Sequence, residues 1–170
     1  MPEPHATVME IVRASMNPAC RTTTRRTDHP ACRVMAREAH ADADDGGMDR
    51  VLLLATGTAA SATAVTTVLA QESDQTPETL VDSMESAAAA RGKEFSIGPV
   101  LRGMLTDHGG PGAEELGKAF ARDQGEFYDL VVELADYTAS CIQMRAVKFR
   151  VPVRESLNDL NEMLKDFVSA

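Results

Sequence analysis

Four residues of metal-ligating type fall early in the chain: Cys20, His29, Cys32 and His40. Thiolate and imidazole are the natural ligands of tetrahedral zinc. A zinc module that folds locally needs a short cysteine knuckle, and these four supply none. The grouping is read as chance, and no metal ligand is assigned. Asp107-His108 lies beside Gly109-Gly110-Pro111-Gly112. A histidine on such a turn has the chemistry of an acid–base group or a metal ligand, but a solvated loop histidine is the simpler reading. Cys141 would make a thiolate pair with His108 only if the fold joined them. It sits instead among Leu134, Tyr137 and Met144 at helical spacing, which predicts a core thiol. With Cys20 and Cys32 it makes an odd count, so no self-contained disulfide framework is expected.

Carboxylates pair at Glu114-Glu115 and recur at Glu126, Asp129, Glu133 and Asp136. Tuning an acid requires apolar surroundings, whereas these mark a helix start and a solvated helix face. The sequence carries no nucleophile elbow, phosphate-binding Walker loop, H-E-x-x-H, C-x-x-C or EF-hand pattern. No catalytic residue and no cofactor site is therefore assigned, and a non-enzymatic protein is expected.

The elements that would position any chemistry are organised around Val51 to Ala70, VLLLATGTAASATAVTTVLA, which has no charge, Asn, Gln or Pro. Twenty helical residues rise about 30 Å, close to the apolar thickness of a bilayer. Val68-Leu69-Ala70 before Gln71-Glu72-Ser73-Asp74 resembles a signal-peptidase site, with Met48-Asp49-Arg50 as a short leader and Met48 as a candidate start. Against this, Thr56, Thr58, Thr63, Thr66, Thr67, Ser61 and Gly57 dilute the run. Asp42, Asp44, Asp45 and Asp49 also outweigh Arg50 on its leading side. A second reading makes 51–55 a buried parallel strand and Thr56-Gly57-Thr58 a phosphate-binding turn before a helix. A dinucleotide fingerprint needs three glycines, and this turn has one. A third reading is a buried element of a soluble core. The membrane or export reading is preferred.

At 170 residues the chain allows one ordinary domain with tails. Aromatics are 4%, so the core must come from Ala, Val, Leu and Met, which suits packed helices. The net charge of −9 argues against a general nucleic-acid binder, because phosphate contacts need clustered Lys and Arg. The basic residues are 13 Arg and 4 Lys. Scarce Lys with many acids fits a salt-adapted surface, where screening makes acid repulsion cheap, or simply GC-rich codons.

Residues 1–47 read as a loose tail. One short stripe, Val8, Ile11, Val12 and Met16, precedes an Arg-, Thr- and Asp-rich stretch without period. The twin Arg25-Arg26 is too far from the apolar run for an export motif. After the run, Thr76-Pro77-Glu78 is a helix start, followed by Leu80, Met84, Ala87 and Ala88, with Gly92 as a stop. Ile97, Val100, Leu101, Met104 and Leu105 make a second stripe, and Gly109 to Gly112 a loop. A long amphipathic pattern then runs through Leu116, Ala119, Phe120, Phe127, Leu130, Val131, Leu134, Tyr137, Cys141 and Met144. Val147, Phe149, Val151 and Val153 alternate with Lys148, Arg150, Pro152 and Arg154, which predicts a short edge strand near 147–153. With Arg145 this strand carries the one basic cluster of the C-terminal part, read as charge guarding an edge. Leu157, Leu160, Met163, Leu164, Phe167 and Val168 form a last docking helix.

The expected fold is mainly α: a helical domain over 74–170 with one strand near 147–153, behind an apolar signal or membrane segment at 48–70. The alternative is α/β with a strand at 51–55. The expected function is that of a small accessory or partner-binding protein, membrane-anchored or exported. Its partner is a protein met through amphipathic helices, with a membrane second and nucleic acid disfavoured. The alternatives are a soluble phosphate-ligand domain using the 56–58 turn and a transcriptional regulator using the 145–154 arm.

Overall fold

The computed structural model describes residues 3–17, 28–47 and 49–169. Its helices are α1 (Pro4–Ser15), α2 (Pro30–Asp45), α3 (Asp49–Glu72), α4 (Pro77–Ala90), α5 (Gly98–Met104), α6 (Gly110–Arg122), α7 (Gln124–Lys148) and α8 (Val153–Ser169). A 3₁₀ turn, Asp107–Gly109, joins α5 to α6. The mainly α expectation holds, and no strand occurs among the described residues.

The apolar run is α3, and it is the hub: among the described residues every other α-helix touches it. Its threonines explain how so polar a composition is buried. Thr56, Thr58, Ser61, Thr63, Thr66 and Thr67 each donate to the carbonyl four residues back, at 2.7–3.0 Å. Each hydroxyl is thus satisfied within its own helix and needs no water. Thr66 also meets the Tyr137 hydroxyl at 2.7 Å, linking α3 to α7. The strand at 51–55 and the phosphate turn at 56–58 are therefore corrected. Residues 51–58 are continuous helix, and Gly57 and Thr58 are buried. Gly57 serves a helix crossing, since a Cβ there would stand 2.7 Å from Val8 Cγ2 of α1.

Of the segment expected as a loose tail over 1–47, the described residues form α1 and α2. Pro4 and Pro30 occupy first turns, where a missing N–H costs nothing. Val8, Met9, Ile11, Val12, Ala31, Val34 and Met35 join the same core as Leu101, Phe127, Leu134 and Leu164. Helices α1, α2 and α3 and the helices after Ser73 thus share one interior. Met48, Cys20 and Arg25-Arg26 lie outside the described residues.

The strand expected near 147–153 is a helix junction. Val147 and Lys148 finish α7, Arg150 turns the chain with φ 56°, and Val153 opens α8. Phe149 and Val151 N–H both donate to the Arg145 carbonyl, at 2.9 and 3.3 Å. The alternation does leave Phe149, Val151 and Val153 partly buried between exposed Arg150, Pro152 and Arg154, but on a turn between helices, and Val147 is 81% exposed. The loop expected over Gly109 to Gly112 is shorter, because Gly110, Pro111 and Gly112 already form the first turn of α6. The helix starts at 76 and 123 have clear caps. The Thr76 hydroxyl accepts from Thr79 N–H at 3.2 Å, with Pro77 and Glu78 in the first turn of α4. Asp123 caps α7, its carboxylate accepting from Gly125 and Glu126 N–H. Helices α5 and α6 cross on bare backbone, since a Cβ on Gly103 would lie 2.5 Å from Gly112 N.

His29 ties the N-terminal pair of helices to α7. Its Nδ1 accepts from Ala31 N–H at 3.1 Å, capping α2, and its Nε2 faces Asp136 Oδ1 at 3.2 Å. With Nδ1 accepting, the proton of the neutral ring sits on Nε2 and is donated to Asp136. Replacing His29 by Ala removes a cap and a buried contact together, with an expected loss of about 2 kcal/mol. His29→Asn keeps a capping acceptor and is expected to recover about half of it. Urea titrations of the two variants measure this; equal losses would show that the cap contributes nothing.

Candidate functional site

A concavity is bounded by α1, α2 and the start of α3. Sequence logic fixes its walls. Gly46 ends α2 with φ 75°, a left-handed residue that only glycine adopts cheaply. Gly47 N–H then returns to the Asp42 carbonyl at 2.9 Å. The Asp42 carboxylate, buried in the last turn of α2, accepts from Arg50 N–H at 3.1 Å and Val51 N–H at 2.9 Å. It thereby satisfies two orphan donors of α3 and places negative charge at its positive end. This fixes Leu53 and Leu54 of α3 opposite Arg37, Glu38 and Ala41 of α2. The Val8–Gly57 crossing sets α1 alongside and brings Glu3, Pro4 and Thr7 to the third wall.

The enclosed volume is about 630 Å³. That lies within the range of small-molecule pockets, roughly 300–1,000 Å³. Its floor is hydrocarbon, from Pro4, Ala41, Leu53 and Leu54, and Leu53 is 36% exposed. Glu3, Arg37, Glu38 and Arg50 share the lining. Arg37 grips Glu10 of α1 with two nitrogens, at 3.2 and 2.9 Å, and reaches Glu38 at 3.3 Å. The hydrogen bond to Glu10 raises the Arg37 guanidinium above its ordinary value, so it stays charged. Arg50 Nη2 meets Asp45 Oδ2 at 2.6 Å. The Arg37 and Glu10 side chains are half exposed, so that pair orients the wall more than it stabilises it.

A second hollow of about 280 Å³ lies between α6 and α7, where Glu94, Glu115, Glu126, Asp129 and Glu133 surround Pro99, Val100 and Leu130. Arg122 pairs with Glu126 across one turn, at 2.6 and 3.0 Å, and this hydrogen bond holds the Glu126 carboxyl below its usual range. Glu114 and Glu115 share Lys118, at 3.3 and 3.2 Å. They belong to a solvated helix face.

The residues singled out from sequence are dispersed. His29 is the cap described above, Cys32 is partly buried on α2, and His40 is exposed. No group of three or more His, Cys, Asp or Glu able to hold a metal occurs among the described residues. Asp107 and His108 are exposed, with φ of 45° and 58°, on the turn ahead of α6. Arg145 leaves the basic cluster altogether: it is buried against Glu72 and Ser156. Cys141 is buried, and burial pushes its thiol up to about 12, with the Tyr137 hydrogen bond opposing in part. The thiolate is the reactive form and forms only as pH approaches that value, so Cys141 is inert at neutral pH. A maleimide at pH 8 is expected to leave Cys141 unmodified in the native protein and to modify it in denaturant, as read by peptide mass mapping. Native labelling at Cys141 would contradict the burial. The cleft is not legible in the sequence, where the stretches that form α1 and α2 read as a tail. The available signals were the first-turn prolines, Pro4 and Pro30, and Gly46-Gly47 after a periodic stretch. Comparison of the chain with protein-family models, with curated proteins and with solved structures finds no match.

Proposed function

We propose that this is a non-enzymatic accessory protein that works by binding, with the cleft between α1, α2 and α3 as its receiving surface. The observation that carries this reading is an open hydrocarbon floor, Leu53 above all, set between three helices whose mutual placement is fixed by Asp42 and Gly57. The employment of the reactive side chains supports it: His29 caps a helix, Cys141 packs in the core and Arg145 neutralises Glu72. An uncharged solvatochromic dye is expected to bind the native chain at one site, with micromolar affinity, and to be lost in Leu53→Asp at unchanged helical circular dichroism. Dye binding that ignores Leu53→Asp would refute the assignment.

Membrane association or export through α3 is the second reading. It is favoured by α3 being, among the described residues, the one helix long and apolar enough to cross a bilayer by length and composition. Against it stands the burial of 61% of its apolar window by neighbouring helices. A helix whose faces are taken by protein gains little by exchanging them for lipid.

A further inference from the structure

We propose that the cleft takes an uncharged, hydrocarbon-dominated small molecule with at most one neutral polar group, such as a medium-chain alcohol or ester. The proposal rests on the reading of the cleft as the binding surface and adds the chemistry of its occupant. Volume admits a chain of this kind, and Pro4, Ala41, Leu53 and Leu54 give it an apolar bed. Charge decides the rest. The formal charges of the lining cancel, Arg37 and Arg50 against Glu3 and Glu38. Each guanidinium already has a carboxylate partner outside the lining, Glu10 for Arg37 and Asp45 for Arg50. An anionic ligand must compete with those carboxylates beside Glu3 and Glu38. A cationic one must sit beside two guanidiniums. Either brings a charge to an apolar bed without a complementary partner, and that desolvation is unfavourable. A neutral hydroxyl or ester group asks for one hydrogen bond from the lining and no more.

A helical peptide is the competing occupant, and the surface argues against it. Helix-in-groove recognition needs several apolar anchors in a row. Among the described residues the exposed large apolar side chains are Leu53, Val147 and Phe167. Leu53 alone lines the cleft, while Val147 and Phe167 stand near the C-terminal ends of α7 and α8.

Calorimetry of the full chain with decanol below its solubility limit, and with decanoate and decyltrimethylammonium below their micelle concentrations, tests the proposal. Decanol is expected to bind at one site, about tenfold or more tighter than either ion. Affinity should rise roughly three- to fourfold per methylene from octanol to decanol. Leu53→Asp and the cleft-filling Ala41→Phe should both abolish binding, and Val147→Asp should not, with thermal melts confirming that each variant folds. Equal or tighter binding of an ion, still lost in Leu53→Asp, overturns the neutral-ligand inference and leaves the cleft as the binding surface. Binding of none of the three, or binding that survives both cleft variants, overturns the cleft reading and the inference with it.

Discussion

Replacing Arg145 by alanine is expected to destabilise the protein by about 3 kcal/mol, lowering the melting temperature by roughly 6–12 °C for a chain of this size. Arg145 is 9% exposed. Its Nε donates to Glu72 Oε1 at 2.5 Å and its Nη1 donates to Ser156 Oγ at 2.7 Å, so one guanidinium joins α7, α3 and α8. Glu72 is the last residue of α3, at the negative end of the helix dipole, where an unpaired carboxylate is unfavourable. Its Oε2 is buried without a protein hydrogen bond. Removing the guanidinium therefore strands a charge and leaves Ser156 without that donor. Stranding one member of a buried pair is more costly than replacing both with neutral groups. Arg145→Met combined with Glu72→Gln should accordingly lie within about 1–2 kcal/mol of the parent. Arg145→Lys should recover only part of the loss, because an ammonium lacks the planar fork that spans two acceptors. Urea melts of the four proteins check the pattern. If Arg145 served the basic cluster that the sequence suggests, Arg145→Ala would leave the melts unmoved.

Arg145 also shows why some of the fold was legible and some was not. Its neighbours Lys148, Arg150 and Arg154 are near in sequence, and the charge pattern is local. Its partner Glu72 is 73 residues away, and no local pattern encodes that meeting. The same separation hides His29 with Asp136, 107 residues apart. Helices α4, α5 and α8 are readable because their caps and stripes act over a few residues: Thr76 and Pro77, Ile97 to Leu105, Leu157 to Leu164. The stripe from Leu116 to Met144 runs on across the Asp123 cap, so it does not separate α6 from α7. The alternation at 147–153 misled because period two over seven residues also arises where one helix ends and another begins. A strand needs a partner, and period alone does not supply one. For Val51 to Ala70, bilayer and core demand the same thing of a helix, an uncharged surface with every hydroxyl satisfied internally. Only the neighbours discriminate, and those neighbours include α1 and α2, whose sequence carries little periodic signal. The cleft is hidden for the same reason, since two of its three walls belong to them.

Deleting residues 1–47, so that the chain begins at Met48, is expected to abolish soluble, folded protein. Val8, Met9, Ile11, Val12 and Met35 are fully buried, and their removal forfeits roughly 10 kcal/mol of apolar transfer, an upper figure because denatured chains are partly compact. That is comparable with the whole stability of a domain, about 5–15 kcal/mol. The deletion also removes Asp42, which caps α3, and uncovers the crossing where Val8 meets Gly57. Ultracentrifugation without detergent, followed by flotation with neutral phospholipid vesicles, separates the readings. The full chain should remain in the supernatant and show one cooperative melt, while the truncated chain should pellet or float. A truncated chain that stays soluble and melts cooperatively would mean that 74–170 folds independently of α1 and α2. A full chain found only in membranes would instead favour the second reading, with α3 exchanging its protein neighbours for lipid. The expectation follows from the core itself: a helix touched by every other described helix loses its solubility when two of them are taken away.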